Sequence, residues 1–351
     1  MERIPFDESE LEFSGNPMAP YHYPVPPGQN YIETIHHKAP AWMGFAFDAI
    51  TFTPRCNPDN VARAFVWDGG PEIEYGEAED MFGIPWVYVP VAGGSMEKVD
   101  HDTIDDVNDW REKFPIPDVD AWDWDGQVEI SGDYLANPFR AKTLMIQNGF
   151  FERLISFMGF EDAAVAMIDP DQEDAIHDLF SELADMYIRI IQNTMDRWDI
   201  DGIELHDDWG SQMAPFFSID VARKLIVPYI KRVSDFMHAH GKYYMMHCCG
   251  NVFDMVPAML EAGVDSWAPQ YPLSDFSKLY ATYGKEMVLA VVPPVVDPSA
   301  SEEEVREIAQ AWVDEFIHRD APVYKSLYSP MENHPLMDKI LYELTRKKYS
   351  E

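Results

Sequence analysis

Cysteine is scarce in this chain: Cys56, Cys248 and Cys249 are the three among 351 residues. Three cannot build a disulfide scaffold, and a bridge between the neighbours Cys248 and Cys249 would be strained. Reduced thiols in a cytoplasmic protein are the expectation. Basic side chains are also few, with 26 Lys and Arg against 62 Asp and Glu and a formal net charge of -36. A surface of that sign repels a phosphate backbone, which excludes non-specific nucleic-acid binding, although a local basic pocket can still hold an anion. The first 30 residues carry no apolar signal-peptide core, and no apolar run reaches the length of a membrane span. A nicotinamide fingerprint is missing too, since no G-x-G-x-x-G follows an early strand. There is no internal repeat and no low-complexity segment.

What is present is an apolar content of 46%, in blocks that alternate with polar ones, enough for a large core. Residues 1–30, rich in Pro and Gly, read as an N-terminal arm, and residues 31–351 as a single domain. A short helix is expected over 30–37, a buried strand over 42–47 and another over 86–91. Between 100 and 133 stand twelve acids with only Arg111 and Lys113 as bases, the pattern of a solvated excursion with helix caps. From residue 140 onward, strands over 143–149, 201–206, 243–249, 266–269, 287–292 and 324–328 alternate with helical segments. That order demands a mostly parallel sheet covered by helices. The number of units is close to eight, so the predicted fold is α/β, a (β/α)8 TIM barrel. Active sites in such barrels lie where strands meet their following helices. The rule selects Gln147, Asn148 and Gly149, then His206, Asp207 and Asp208, the run from His247 to Asn251, Gln270 with Tyr271, and the block from Ser329 to His334.

The segment richest in chemistry is His247-Cys248-Cys249-Gly250, after the apolar Tyr243-Tyr244-Met245-Met246. The strand period of two puts Met245, His247 and Cys249 on one side and Cys248 on the other. An imidazole and a thiolate converging at a strand end suit zinc or thiol chemistry. A buried histidine bonded to a carbonyl beside an inert thiol is the plainer alternative. Gly250 permits a tight turn, and Asn251 either caps the next helix or orients a ligand. Asp207 and Asp208 can take a proton, bind a substrate hydroxyl or fix the tautomer of His247; equally, they can satisfy loop N–H groups. Gln147 and Gln270 are polar pocket candidates, and Trp86, Tyr88, Trp209, Trp267 and Tyr271 are candidates for an apolar wall.

Three ordered fragments, DGIELHDDWGSQ at 201–212, HAHGKYYMMHCCGN at 238–251 and EAGVDSWAPQ at 261–270, together resemble the uroporphyrinogen decarboxylase superfamily. The resemblance runs over nearly the whole chain from Asn30. That superfamily holds the decarboxylase proper and cobalamin-dependent methyltransferases that bind zinc, all on a (β/α)8 barrel. The decarboxylase would carry an early arginine-rich loop, with an aspartate, for a propionate-laden tetrapyrrole. Here only Arg55 and Arg63 stand near that region, and Asp48 is the nearest counterpart of the aspartate. Metal-free decarboxylation of a tetrapyrrole or related carboxylate is therefore the alternative reading, and a non-catalytic barrel a third.

The methyltransferase branch uses an H-x-C pair followed by a third ligand, commonly cysteine. His247 and Cys249 match the pair, but no cysteine follows Cys249. The resemblance thus implies a zinc site of His247 and Cys249 completed by Glu332 or His334, with Glu204 and Asp207 as further alternatives. With the strand-end positions, the expected catalytic set is Asp207, Asp208, His247 and Cys249, with substrate contacts from Gln147, Trp209, Gln270 and Tyr271 and a cofactor contact from Asn251. Zinc with an open position would polarise the heteroatom of a small methylated substrate. The cobalamin would arrive on a separate corrinoid protein, because no second domain for it is evident. An aromatic-rich mouth with few bases favours an aryl methyl ether over a sulfonated thiol. The direction of methyl transfer stays open. The resemblance, with an N-terminal arm that could cross an interface, also admits a homodimer.

Overall fold

The computed structural model describes residues 3–16, 20–91, 94–98, 101, 103–327, 329–330 and 332–351. Among the described residues, ten strands follow in chain order: β1 (Ala49–Phe52), β2 (Glu77–Glu79), β3 (Pro85–Val89), β4 (Gly94–Glu97), β5 (Ala141–Ile146), β6 (Gly202–His206), β7 (Tyr243–His247), β8 (Ser266–Trp267), β9 (Val288–Val291) and β10 (Val323–Lys325). Seven of them form one sheet in the order β1-β5-β6-β7-β8-β9-β10, and β2, β3 and β4 form a second. The pairings β5–β6, β6–β7, β8–β9 and β9–β10 are all parallel. The fold is α/β with a mostly parallel seven-stranded sheet, not the closed eight-stranded barrel expected from the alternation of elements.

The difference has a local cause. The Asp48 carboxylate accepts the Phe45 N–H at 2.8 Å, and Ala46–Asp48 winds into a 3-10 turn. The expected strand over 42–47 is therefore reduced to an isolated parallel bridge between Phe45 and Lys325, and the regular strand starts only at Ala49. The expected strand over 86–91 also changes partner, lying between β2 and β4 in the small antiparallel sheet. The acidic stretch behaves as the sequence suggests: Asp106, Asp118 and Asp123 each accept an N–H at the start of a helical turn.

The chain divides into two compact units, Met1–Ile50 with Pro138–Ala141 and Asp265–Glu351, and Thr51–Asn137 with Lys142–Val264. In the second unit the register aligns Thr143, Gly202 and Tyr243, then Met145, Glu204 and Met245, then His206 and His247. Thr143 Oγ1 and Tyr243 Oη lie 2.7 Å apart, so these aligned residues share one face of the sheet. Gly202 makes that bond geometrically feasible, because a side chain there would collide with the Tyr243 ring. Leu144, Ile146, Ile203, Leu205, Tyr244 and Met246 occupy the opposite face and are buried. The helix Val227–Ala239 packs on β7, and Glu173–Met195 packs on that helix and buries Ile176, Leu179, Phe180, Leu183 and Ile190. The single helix expected over 220–240 is two, Ile219–Leu225 and Val227–Ala239, since Pro228 has no N–H to continue the ladder.

In the first unit the helix Met337–Ser350 holds the N-terminal residues. Arg346, fully buried, donates to both carboxylate oxygens of Glu10 at 2.8 and 3.0 Å and to the carbonyls of Ile4 and Pro5. Tyr21 stacks on Tyr342 at 4.5 Å and Tyr23 on Trp42 at 4.8 Å. Among the described residues, no helix is long and apolar enough to cross a membrane.

Candidate functional site

Strands β6 and β7 both end on histidine, and their register makes His206 and His247 direct neighbours. The two imidazoles stack with centroids 4.3 Å apart and planes 14° from parallel. Just past β6, Asp208 Oδ1 lies 3.9 Å from His247 Nε2 and accepts the Cys249 N–H at 2.6 Å. One ligand atom from each of His206, Asp208 and His247 lies within 4.8 Å of the others, so this trio could hold a metal ion. Cys249 Sγ approaches from the His247 side, 3.2 Å from Nε2. Cys248 is buried apart from them, its sulfur accepting the Trp209 N–H at 3.3 Å. The turn depends on Gly250, whose φ is +97° and whose absent side chain would strike the Gly210 backbone.

Burial, with the His206 ring beside it, pushes the His247 imidazole down to about 3, so it stays neutral with a lone pair to give. For His206 burial acts the same way, but the Glu152 carboxylate, bonded to Nδ1 at 2.8 Å, raises it above its ordinary value. That bond leaves Nε2 as the ligand atom, the arrangement of a carboxylate-supported metal histidine. Glu152 is held in turn by Arg63 at 3.8 Å. Arg63 also bonds Asn148 Oδ1 at 2.9 Å and covers the Trp86 ring. Behind them Asn148 bonds Asp59, and the buried Arg153 pairs with both Asp59 and Asp80. Burial and the Asp208 carboxylate push the Cys249 thiol up to about 12, so without a cation it keeps its proton.

Asp207 faces away from this cluster. It accepts the N–H groups of Phe151 and Glu152, both at 3.0 Å, and Trp209 Nε1 at 2.9 Å. It thereby caps the helix Phe150–Met158, which carries Glu152, and burial raises its pKa to about 7. Burial also raises Glu204, which stands two residues before His206 on the same strand face.

The donor set fits zinc. Bonds of about 2.0–2.3 Å in a tetrahedron place neighbouring donor atoms roughly 3.3–3.8 Å apart. The 3.2 Å from Nε2 to the Cys249 sulfur and 3.9 Å to Asp208 need only small side-chain adjustments to meet that spacing. Two imidazoles, a carboxylate and a thiol also suit other first-row metals.

A family model for uroporphyrinogen decarboxylase (URO-D) matches residues 137–320, more than half of the chain. The chain belongs to the URO-D family. No curated protein matches this URO-D chain in sequence. Among solved structures it is similar to a methyltransferase from Methanosarcina mazei, with 14% identity, a TM-score of 0.56, and coverage of 93% of this chain and 100% of that one. A β-L-arabinopyranosidase from Geobacillus stearothermophilus is similar at 12% identity and a TM-score of 0.31, over 62% of this chain and 56% of that one. Only the first of these likenesses carries weight, and it establishes the fold.

Within the URO-D chain, His247, Cys249 and Asp208 come together as neighbours. Gln147 is buried with Nε2 3.8 Å from Met145 Sδ, Trp209 is buried on Asp207, and Asn251 is exposed with its N–H on the Ser211 carbonyl at 2.7 Å. Glu332, His334, Gln270 and Tyr271 belong to the first unit. There Glu332 is exposed, His334 is buried and accepts the Leu336 N–H at 3.2 Å, Gln270 is half-buried and Tyr271 exposed. Two residues of the cluster carry more than the sequence reading gave them: His206, there only a neighbour of the acidic pair, and Glu152, not considered. The signal for His206 was available. Two short strands, DGIELH and KYYMMH, both close on histidine, and in a parallel sheet such ends become neighbours.

Proposed function

We propose that this URO-D family member is a zinc-dependent methyltransferase. It moves a methyl group between a small methylated substrate, an aryl methyl ether in the favoured case, and the cobalamin of a separate corrinoid protein. The observation that carries the reading is the convergence of His206, Asp208 and His247 with the Cys249 thiol at their edge. The fold shared with a methanogen methyltransferase supports it.

His206 and His247 would hold the ion through Nε2, with Asp208 and Cys249 as the oxygen and sulfur donors. Glu152 fixes the tautomer and ring orientation of His206. Asp208 holds the Cys249 backbone, keeping the thiol at the site. Bound zinc supplies a Lewis acid for a heteroatom that is otherwise a poor leaving group. Cys249 must lose its proton to ligate, so metal uptake releases a proton and strengthens as pH rises. Glu332 and His334 are the further ligand candidates from the first unit, and Gln147, Trp209, Gln270, Tyr271 and Asn251 the candidates for substrate and cofactor contact.

Metal-free decarboxylation is the second reading, favoured by the family match itself. Metal content and methyl transfer separate the two. Protein purified under reducing conditions without chelator should carry one zinc per chain. It should demethylate an aryl methyl ether when reduced cobalamin is supplied. His206→Ala and His247→Ala should lose both metal and transfer while remaining folded. Folded wild-type protein that takes up no zinc after reconstitution would overturn the proposal.

A further inference from the structure

We infer that Glu204 sets substrate specificity by exchanging a hydrogen bond with a free hydroxyl on the methyl donor, across the ring from its methoxy group. The inference rests on the methyl-transfer reading and names the substrate class within it: a methoxylated phenol.

Three observations in the second unit lead there. Along β6, Glu204 and His206 are two residues apart and point to the same face, so the carboxyl lies one layer from the metal-binding imidazoles, about 6–7 Å along the strand. The register places Met145 and Met245 on either side of Glu204 in its own layer. Two thioethers flanking an acid offer it no hydrogen bond of consequence, but they are polarizable groups of the kind that pack well against an aromatic ring. Finally, among the described residues the Glu204 side chain makes no hydrogen bond, and Glu204 keeps a small exposed fraction while both methionines are buried. The neighbouring layers do not repeat this pattern. Thr143 and Tyr243 satisfy each other, and His206 is satisfied by Glu152.

A carboxyl left open between apolar neighbours must find a partner once a ligand displaces water, or its desolvation weakens binding. An aryl methyl ether whose methoxy oxygen met a metal held by His206 and His247 would lay its ring along these thioethers and bring its opposite substituent toward Glu204. A hydroxyl there serves whether the carboxyl is ionised or protonated, because it can both donate and accept. A bare ring leaves the carboxyl without a partner. Sites built to hydrogen-bond a hydroxyl reject the analogue lacking it far more strongly than apolar pockets reject a missing methylene.

The test uses zinc-loaded full-length protein as wild type, Glu204→Gln and Glu204→Leu, with binding of 4-methoxyphenol and methoxybenzene measured by calorimetry. Wild type should bind 4-methoxyphenol about tenfold or more tightly than methoxybenzene. The ratio should fall to near one in Glu204→Leu and lie between in Glu204→Gln, with zinc content unchanged in both. An unchanged ratio in Glu204→Leu, no preference or no binding in wild type, or zinc loss in Glu204→Gln would each overturn the assignment. Zinc loss would give the carboxyl to the ion instead. Methyl transfer to reduced cobalamin, followed in the same samples, separates the two readings. Its absence beside an intact binding preference sinks the methyltransferase function and spares Glu204. Equal transfer from both donors by wild type and Glu204→Leu does the reverse.

Discussion

Glu152 is the residue through which the site is stiffened. One of its carboxylate oxygens lies on His206 Nδ1 and the other faces Arg63, while its own backbone N–H is pinned by Asp207. Replacement by Gln keeps the volume and removes the charge that makes His206 a better base. Zinc affinity in Glu152→Gln should fall by about 10- to 100-fold, read by chelator competition, with the urea midpoint of the metal-free protein little changed. Equal affinity in the variant would show that His206 is not a ligand. At this scale the sequence was legible where a single strand carried the information. Period two alone puts His247 and Cys249 together and turns Cys248 away, as the geometry has it. His206 and Glu152 reach His247 only through the register of separate strands and the start of a helix. No spacing within one segment displays that relation.

Elements show the same division between local and non-local information. The strands after residue 140 were readable to within a few residues because each is a short apolar run bounded by turn signals. The 3-10 turn at Ala46–Asp48 was not, since it depends on one side chain, Asp48, bonding back to Phe45. The helix Met337–Ser350 went unread although Met337, Ile340, Leu341 and Tyr349 recur at helical spacing. Its buried face also carries Glu343 and Arg346, which dilute the apolar stripe. Gly202 offers an element-scale test. Its lack of a side chain lets the Tyr243 ring cross β6 to Thr143. Gly202→Ala should destabilise the fold by about 1–3 kcal/mol in urea denaturation, and a smaller residue at Tyr243 should recover part of that loss. A neutral Gly202→Ala would mean that the ring does not occupy this position.

For the whole molecule, charge is the dominant fact. A formal net charge of -36 sets up self-repulsion that exposed ion pairs such as Arg111–Asp178 and Lys98–Glu77 offset only weakly. Thermal stability should therefore rise when salt is raised from about 0.01 M to about 0.1 M, which shortens the screening length from about 30 Å to about 10 Å. A fall in Tm over that range would show that surface ion pairs outweigh the repulsion. Fold class was legible at this scale because alternating strands and helices admit few topologies. The exact strand count was not, for it turned on the few residues just before β1.

Arg346 holds Glu10 and the carbonyls of Ile4 and Pro5 in a unit assembled from Met1–Ile50, Pro138–Ala141 and Asp265–Glu351. On the ribosome these pieces do not emerge together. At synthesis rates of about 5–20 residues per second, the earliest segment waits roughly 15–60 s for the helix that will receive it. During that interval Tyr21, Tyr23 and Trp42 have no Tyr342 to cover them, while Thr51–Asn137 and Lys142–Val264 can already close around β5, β6 and β7. The order of translation thus favours building the strands that carry His206 and His247 first and tying down the leading segment last, which leaves the nascent N-terminal aromatics to chaperones in between.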